Sequence, residues 1–139
     1  MAHLFYLDTS IWRDYFEDRK NHIKPLGELA FQFLKECKKR RFKLVYSDLV
    51  VFELKKSYSD EKIKQLFSPF ADNLVLAEIS EKQRLEAVKL ESIKDAHKAD
   101  ILHAIIARDE KAVLVSRDKH FDCLTDIVEV LKPEEVRFD

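Results

Sequence analysis

Short apolar runs rich in β-branched and aromatic residues alternate along this chain with longer amphipathic ones, and this alternation restricts the fold more than any single residue does. His3-Leu-Phe-Tyr-Leu-Asp8, Phe42-Lys-Leu-Val-Tyr46, Asn73-Leu-Val-Leu-Ala77, Ala112-Val-Leu-Val-Ser116 and Ile127-Val-Glu-Val-Leu131 read as five strands, the last ended by Pro133. After the first, Thr9 or Ser10 can cap a helix carrying Trp12, Tyr15 and Phe16. Leu26, Leu29, Ala30, Phe33, Leu34 and Cys37 then recur at helical spacing, with Lys38, Lys39, Arg40 and Arg41 suited to that helix's carboxyl end. Ser47 caps a helix through Leu54, and a shorter one follows around Ile63, Leu66 and Phe67. Ser80 with Gln83 is a capping-box signature for a helix running towards Leu90. A strongly apolar helix spans about Lys98 to Arg108.

Strands separated by helices require right-handed crossovers, which make the sheet parallel and put helices on both its faces. The expectation is therefore an α/β fold, a three-layer α/β/α domain around a central parallel five-stranded sheet. No repeat, low-complexity tract or linker interrupts the chain, so residues 1–139 read as a single domain.

Against this apolar framework, certain carboxylates stand where a carboxylate costs stability. Asp8 closes the first strand, and Asp118 comes just after the fourth. In open parallel sheets, binding crevices form beyond the carboxyl ends of strands. Glu53 lies within Leu49-Val-Val-Phe-Glu-Leu54, and Asp100 within Ala99-Asp-Ile-Leu-His-Ala-Ile-Ile-Ala107. An unpaired buried charge escapes its penalty by pairing, protonation or metal coordination. If the four converge, each neighbouring pair about 4 Å apart repels by roughly 4 kcal/mol at an effective dielectric near 20. Hard divalent cations relieve this, and an oxygen-only ligand set favours Mg²⁺ or Mn²⁺ over zinc. Such a pocket suits two-metal hydrolysis of a phosphodiester. Each acid also has a plainer reading: Asp8 and Asp118 as cap or turn residues, Glu53 as an ion-pair partner, Asp100 as a helix-start acid.

The single glycine, Gly27, excludes Walker-type and dinucleotide-type phosphate loops, which need several glycines. A net charge of -1 gives no global signal for nucleic acid, so any such contact must use locally concentrated cations. Cys37 and Cys123 are far apart and outside any C-x-x-C, so reduced, buried thiols are expected and a zinc site is not. No apolar run approaches membrane-spanning length and no leader pattern opens the chain, which reads as cytoplasmic.

Four stretches together resemble the PIN domain, and especially the VapC-type toxins of toxin–antitoxin pairs. They are Leu7-Asp-Thr-Ser-Ile11, Ser47-Asp-Leu-Val-Val-Phe-Glu53, Ala99-Asp-Ile-Leu-His-Ala104 and Leu114-Val-Ser-Arg-Asp-Lys-His-Phe121. The resemblance implies a parallel five-stranded sheet, Mg²⁺- or Mn²⁺-dependent cleavage of RNA, frequent homodimers and a small antitoxin partner. It assigns catalysis and metal binding to Asp8, Glu53, Asp100 and Asp118. It implies that hydroxyls at Thr9 or Ser10 and at Ser116 orient these carboxylates from behind. In the family the turn before the fourth strand usually carries glycine, whereas here it reads Arg108-Asp-Glu-Lys-Ala112.

Several residues keep two readings. Arg117 and Lys119 flank Asp118 and either contact RNA phosphates or balance local charge. Lys38 to Arg41 either grip RNA backbone or form a solvated helix end. His103 reads as packed on an apolar helix, and His120 as lining the cleft or solvated. Asp122 is a reserve ligand. Ile63, Leu66, Phe67 and Phe70 either form a dimer or partner surface or pack in the core. For the whole chain, the alternatives to a toxin ribonuclease are a non-catalytic PIN-like RNA- or protein-binding module and an RNA-processing nuclease without an antitoxin.

Overall fold

The computed structural model describes residues 4–138. Its elements follow in the order β1 (Leu4–Leu7), α1 (Thr9–Glu17), α2 (Leu26–Arg40), β2 (Lys43–Ser47), α3 (Asp48–Leu54), α4 (Asp60–Phe67) and β3 (Leu74–Ala77). Then come α5 (Glu81–Glu91), α6 (Lys98–Asp109), β4 (Val113–Val115) and β5 (Val130–Leu131), with a 3-10 turn at Lys119–Leu124 and another at Pro133–Glu135. The strands form one sheet in the order β3-β2-β1-β4-β5, every neighbouring pair parallel. Helices flank the sheet, as the alternation of runs predicts.

The central strand reads as a continuous apolar run because both its faces are covered. Phe5, Tyr6 and Leu7 are all buried. Helix α6 is apolar nearly all round for the same reason, with every residue from Ile101 to Ala107 buried. Chain order reverses between β1 and β4, since β2 and β3 lie on one side of β1 and β4 and β5 on the other. The crevice beyond the carboxyl ends of β1 and β4 is thus the expected binding place of such a sheet. Backbone bonds close its floor: Asp8 N donates to Val115 O at 3.1 Å, and Ser116 N to Leu131 O at 2.9 Å.

The structure departs from the sequence expectations in places. The fifth strand is shorter than Ile127–Leu131, because the amides of Ile127 and Val128 turn back to Leu124 O and never enter the ladder. Helix α1 is capped by Asp8, whose side chain accepts from Ile11 N, so Thr9 and Ser10 sit in its first turn. His3, the expected start of the first strand, lies outside the described residues. Ile63, Leu66 and Phe70 are buried, and half-buried Phe67 packs edge-on to Trp12 at 5.0 Å, so core packing and not an open surface uses this group. Both cysteines are free, but only Cys37 is buried; Cys123 is exposed. Among the described residues no helix is long and apolar enough to cross a membrane.

Two backbone positions explain themselves. Gly27 is where α2 starts against the end of α1, and a Cβ there would meet Asp18 Cα at 2.5 Å. The glycine-free turn before β4 keeps the left-handed geometry, with Lys111 at φ 58°. A non-glycine residue bears about 1–2 kcal/mol for that conformation.

Candidate active site

Asp8 is held from three directions at the carboxyl end of β1. Ser10 Oγ donates to Oδ1 at 2.7 Å, Ile11 N to Oδ1 at 3.1 Å, and Ser116 Oγ to Oδ2 at 2.5 Å. Burial pushes the Asp8 carboxyl above the usual carboxylate range, and these donors offset only part of the push. Ser116 Oγ also accepts from Asp118 N at 3.0 Å, so one hydroxyl ties the first acid to the last. Asp118 caps the 3-10 turn, its Oδ1 accepting from His120 N at 2.9 Å. The His120 ring follows it back, with Nδ1 3.2 Å from Asp118 Oδ1 and 3.9 Å from Asp100 Oδ2.

Asp100 stands in the first turn of α6. Burial, and then the neighbouring Asp118 charge, raise its pKa. Glu53, one residue before the end of α3, goes the other way. Burial pushes its carboxyl up, but His103 and then Thr9 and Lys56 pull it below its ordinary value. Thr9 Oγ1 donates to Glu53 Oε1 at 2.5 Å, and His103 Nε2 lies 2.9 Å from the same oxygen. Thr9 therefore serves Glu53, while Ser10 serves Asp8.

Asp8, Glu53, Asp100 and Asp118 line one cleft of about 300 Å³, together with Thr9, Ser10, Arg13, Lys56, Ser57, His103 and Phe121. Among the described residues, no three His, Cys, Asp or Glu side chains stand close enough to hold an ion as they are. The chemistry of the set nevertheless fits a hard divalent cation, since its donors are carboxylate and hydroxyl oxygens with no thiol. The charged forms of Asp8 and Asp100 carry a burial penalty that such a cation offsets.

Other candidates fall elsewhere. Asp122 is exposed and does not line the cleft. The Arg117 guanidinium forks onto Glu134, with Nη1–Oε2 at 2.8 Å and Nη2–Oε1 at 2.6 Å, and its buried Nε has no partner among the described residues. Lys119 is exposed. Lys38 and Arg41 line a larger cavity of about 570 Å³ with Lys43 and Asn73, at the opposite edge of the sheet where β2 and β3 begin. Sequence reasoning missed Arg13 and Lys56, the cations of the acidic cleft, and Tyr6 behind it. It also passed over Asp14, which is buried and faces Arg19 at 3.7 Å. Only Tyr6 carried a signal, a hydroxyl within an otherwise apolar strand.

The family model described as the PIN domain matches residues 5–126. The chain belongs to the PIN-domain family. Similar solved structures extend over nearly the whole of this PIN domain. VapBC2 from Rickettsia felis, bound to a DNA fragment from their promoter, matches at TM-score 0.68 and 19% identity over 93% of this chain and 98% of that chain. FitAcB from Neisseria gonorrhoeae matches at TM-score 0.67 and 17% identity, covering 95% of this chain and 99% of that one. A toxin–antitoxin complex from Klebsiella pneumoniae matches at TM-score 0.66 and 20% identity, covering 98% and 100%. At these identities the likeness is one of fold. A search of curated protein sequences finds no significant match.

Proposed function

We propose that this PIN domain is a divalent-metal-dependent endoribonuclease, the toxin of a toxin–antitoxin pair, working in the cytoplasm as a homodimer. The observation that carries the proposal is the single cleft at the carboxyl edge of the sheet, lined by carboxylates from four separate segments. Two of the similar structures are a VapBC2 assembly and a toxin–antitoxin complex, which supports a small antitoxin as partner.

Asp8, Glu53, Asp100 and Asp118 would hold Mg²⁺ or Mn²⁺, which when bound supplies charge neutralisation, Lewis acidity and activation of water. Ser10 and Ser116 keep both Asp8 oxygens in fixed directions, and Ser116 holds the Asp118 backbone to the same point. Thr9 fixes Glu53 across the cleft. Arg13 and Lys56 bring positive charge for the RNA phosphate to an otherwise acidic surface. In the reaction water adds to phosphorus, the P–O bond to one ribose oxygen breaks, and that oxygen takes up a proton.

The test is cleavage of a mixed RNA pool by purified protein with Mn²⁺, with Mg²⁺ and with excess EDTA, beside Asp8→Asn. Cleavage that needs the metal and disappears in the folded variant is expected. Cleavage undiminished by EDTA would overturn the metal mechanism. RNA bound but never cut under any metal would point to the non-catalytic binding module.

A further inference from the structure

Behind Glu53 a line of buried polar groups runs through the core. Ser47 ends β2 and caps α3, Tyr6 sits in β1 and His103 in α6; all three are buried. Tyr6 Oη lies 2.7 Å from Ser47 Oγ and 2.7 Å from His103 Nδ1. His103 Nε2 lies 2.9 Å from Glu53 Oε1. Ser47 Oγ also accepts from Val50 N at 3.3 Å, in the first turn of the helix that carries Glu53.

The donor inventory gives this line a direction. A carboxylate only accepts, so His103 Nε2 donates to Glu53. In a neutral ring, Nδ1 then accepts, which makes Tyr6 the donor to His103 and Ser47 the donor to Tyr6. Every hydrogen in the line meets an acceptor, from Val50 N through Ser47, Tyr6 and His103 to Glu53. With a proton on Nδ1 the order reverses, and the Ser47 hydroxyl hydrogen meets no acceptor among the described residues. A buried hydroxyl left so is costly.

The outcome at the cleft is asymmetric. Both donors that reach Glu53, Thr9 Oγ1 and His103 Nε2, fall on Oε1, and none among the described residues falls on Oε2. We propose that Ser47, Tyr6 and His103 are positioning residues, the first two holding the His103 ring through Nδ1 with its Nε2–H aimed at Glu53, so that Glu53 keeps Oε1 turned inward and offers Oε2 to the cation. This rests on the metal-dependent reading of the cleft. Tyr6 and Ser47 lie outside the residues lining the cleft and act only through His103. Outer partners of this kind commonly change metal affinity by about 10–100-fold.

The experiment pairs Mn²⁺ titration calorimetry with ¹⁵N side-chain NMR of the metal-free protein, on wild type, Tyr6→Phe, His103→Leu and His103→Gln. The His103 signals are assigned by their loss in His103→Gln. Wild type is expected to show the Nε2–H tautomer with its Nδ1 signal displaced by the Tyr6 hydrogen bond; Tyr6→Phe should keep the tautomer through Glu53 and lose that displacement. Mn²⁺ affinity is expected to fall roughly 10–100-fold in Tyr6→Phe and His103→Leu. His103→Gln, whose amide N–H can stand in for Nε2–H, should recover part of the loss. An Nδ1–H tautomer in wild type overturns the proposal even if a variant fails to fold. Tight Mn²⁺ binding by wild type that is unchanged in folded Tyr6→Phe overturns the positioning role alone. A wild type that shows the Nε2–H tautomer but binds no Mn²⁺ overturns the metal-dependent reading and takes this role with it.

Discussion

Ser116 donates its hydroxyl hydrogen to Asp8 Oδ2 at 2.5 Å, joining the carboxyl ends of β4 and β1 across 108 residues of sequence. Removing that donor in Ser116→Ala leaves one oxygen of a buried carboxylate unsatisfied, at a cost of about 1–3 kcal/mol. The sign with pH follows from the raised Asp8 pKa, whose first cause is burial. Between the unfolded and folded values the native state binds the extra proton, so stability falls as pH rises through that window. Ser116→Ala raises the folded value further. Urea denaturation should therefore show a loss that is largest at neutral pH and shrinks as pH falls towards the ordinary carboxylate range.

Arg117 and Glu134 make the opposite case. Burial pushes Glu134 up, but the Arg117 fork, its own backbone N–H and Lys24 hold it down to about 2. Its stabilising contribution is present above the unfolded carboxylate value and is lost as pH falls towards 2. Arg117→Ala should cost about 1–2 kcal/mol at neutral pH in chemical denaturation. RNA affinity should barely change, because the guanidinium is already committed to Glu134. Lys119→Ala should do the reverse. It should leave stability intact, weaken RNA binding and lower the slope of log affinity against log salt by about 1. Fluorescence anisotropy at several salt concentrations separates the two.

What the sequence disclosed and what it hid have a common cause. Strands such as Phe5-Tyr-Leu7 and helix α6 are buried on all sides, so their apolar runs announce themselves without tertiary information. The four acids of the cleft drew notice because each interrupts, ends or closely follows such a run. Ile127-Val-Glu-Val-Leu131 has the same pattern, yet its first residues turn back to Leu124 O, a contact no periodicity reveals. The Arg117–Glu134 fork spans 17 residues, and the Tyr6–His103 bond spans 97. The first depends on which strands are neighbours and the second on which helix covers β1, and local sequence carries no trace of either. Asp8 was open to a capping role or a site role, and the structure has it capping α1 while it lines the cleft.

Asp100→Asn separates chemistry from folding. Burial and Asp118 both disfavour the Asp100 charge, so the metal-free variant should melt at a higher temperature than wild type at neutral pH. The gain should vanish below the ordinary carboxylate range, where Asp100 is protonated in wild type too. RNA cleavage by the same variant should fall by more than about 100-fold, beyond what outer partners contribute. A stabilised fold with lost activity is the pattern of a functional acid. Lower stability with full activity would make Asp100 a structural helix-start acid instead.

Divalent cations should reverse the electrostatic penalty of the cleft. Binding to the native state alone stabilises by about 2.7 kcal/mol at a concentration 100 times the dissociation constant. For a domain of 139 residues that corresponds to a rise in melting temperature of roughly 5–10 °C. Wild type should gain this shift with Mn²⁺, and the gain should be erased by EDTA. The shift should shrink in Asp8→Asn and Asp100→Asn, which remove proposed ligands, and stay whole in Lys119→Ala, which removes none. It should also fade as pH drops, because Asp8 and Asp100, with raised pKa values, take up protons before an ordinary carboxylate does and then compete with the ion. An equal shift in wild type and both acid variants would assign the cation to another part of the surface and leave the cleft acids without a metal-binding role.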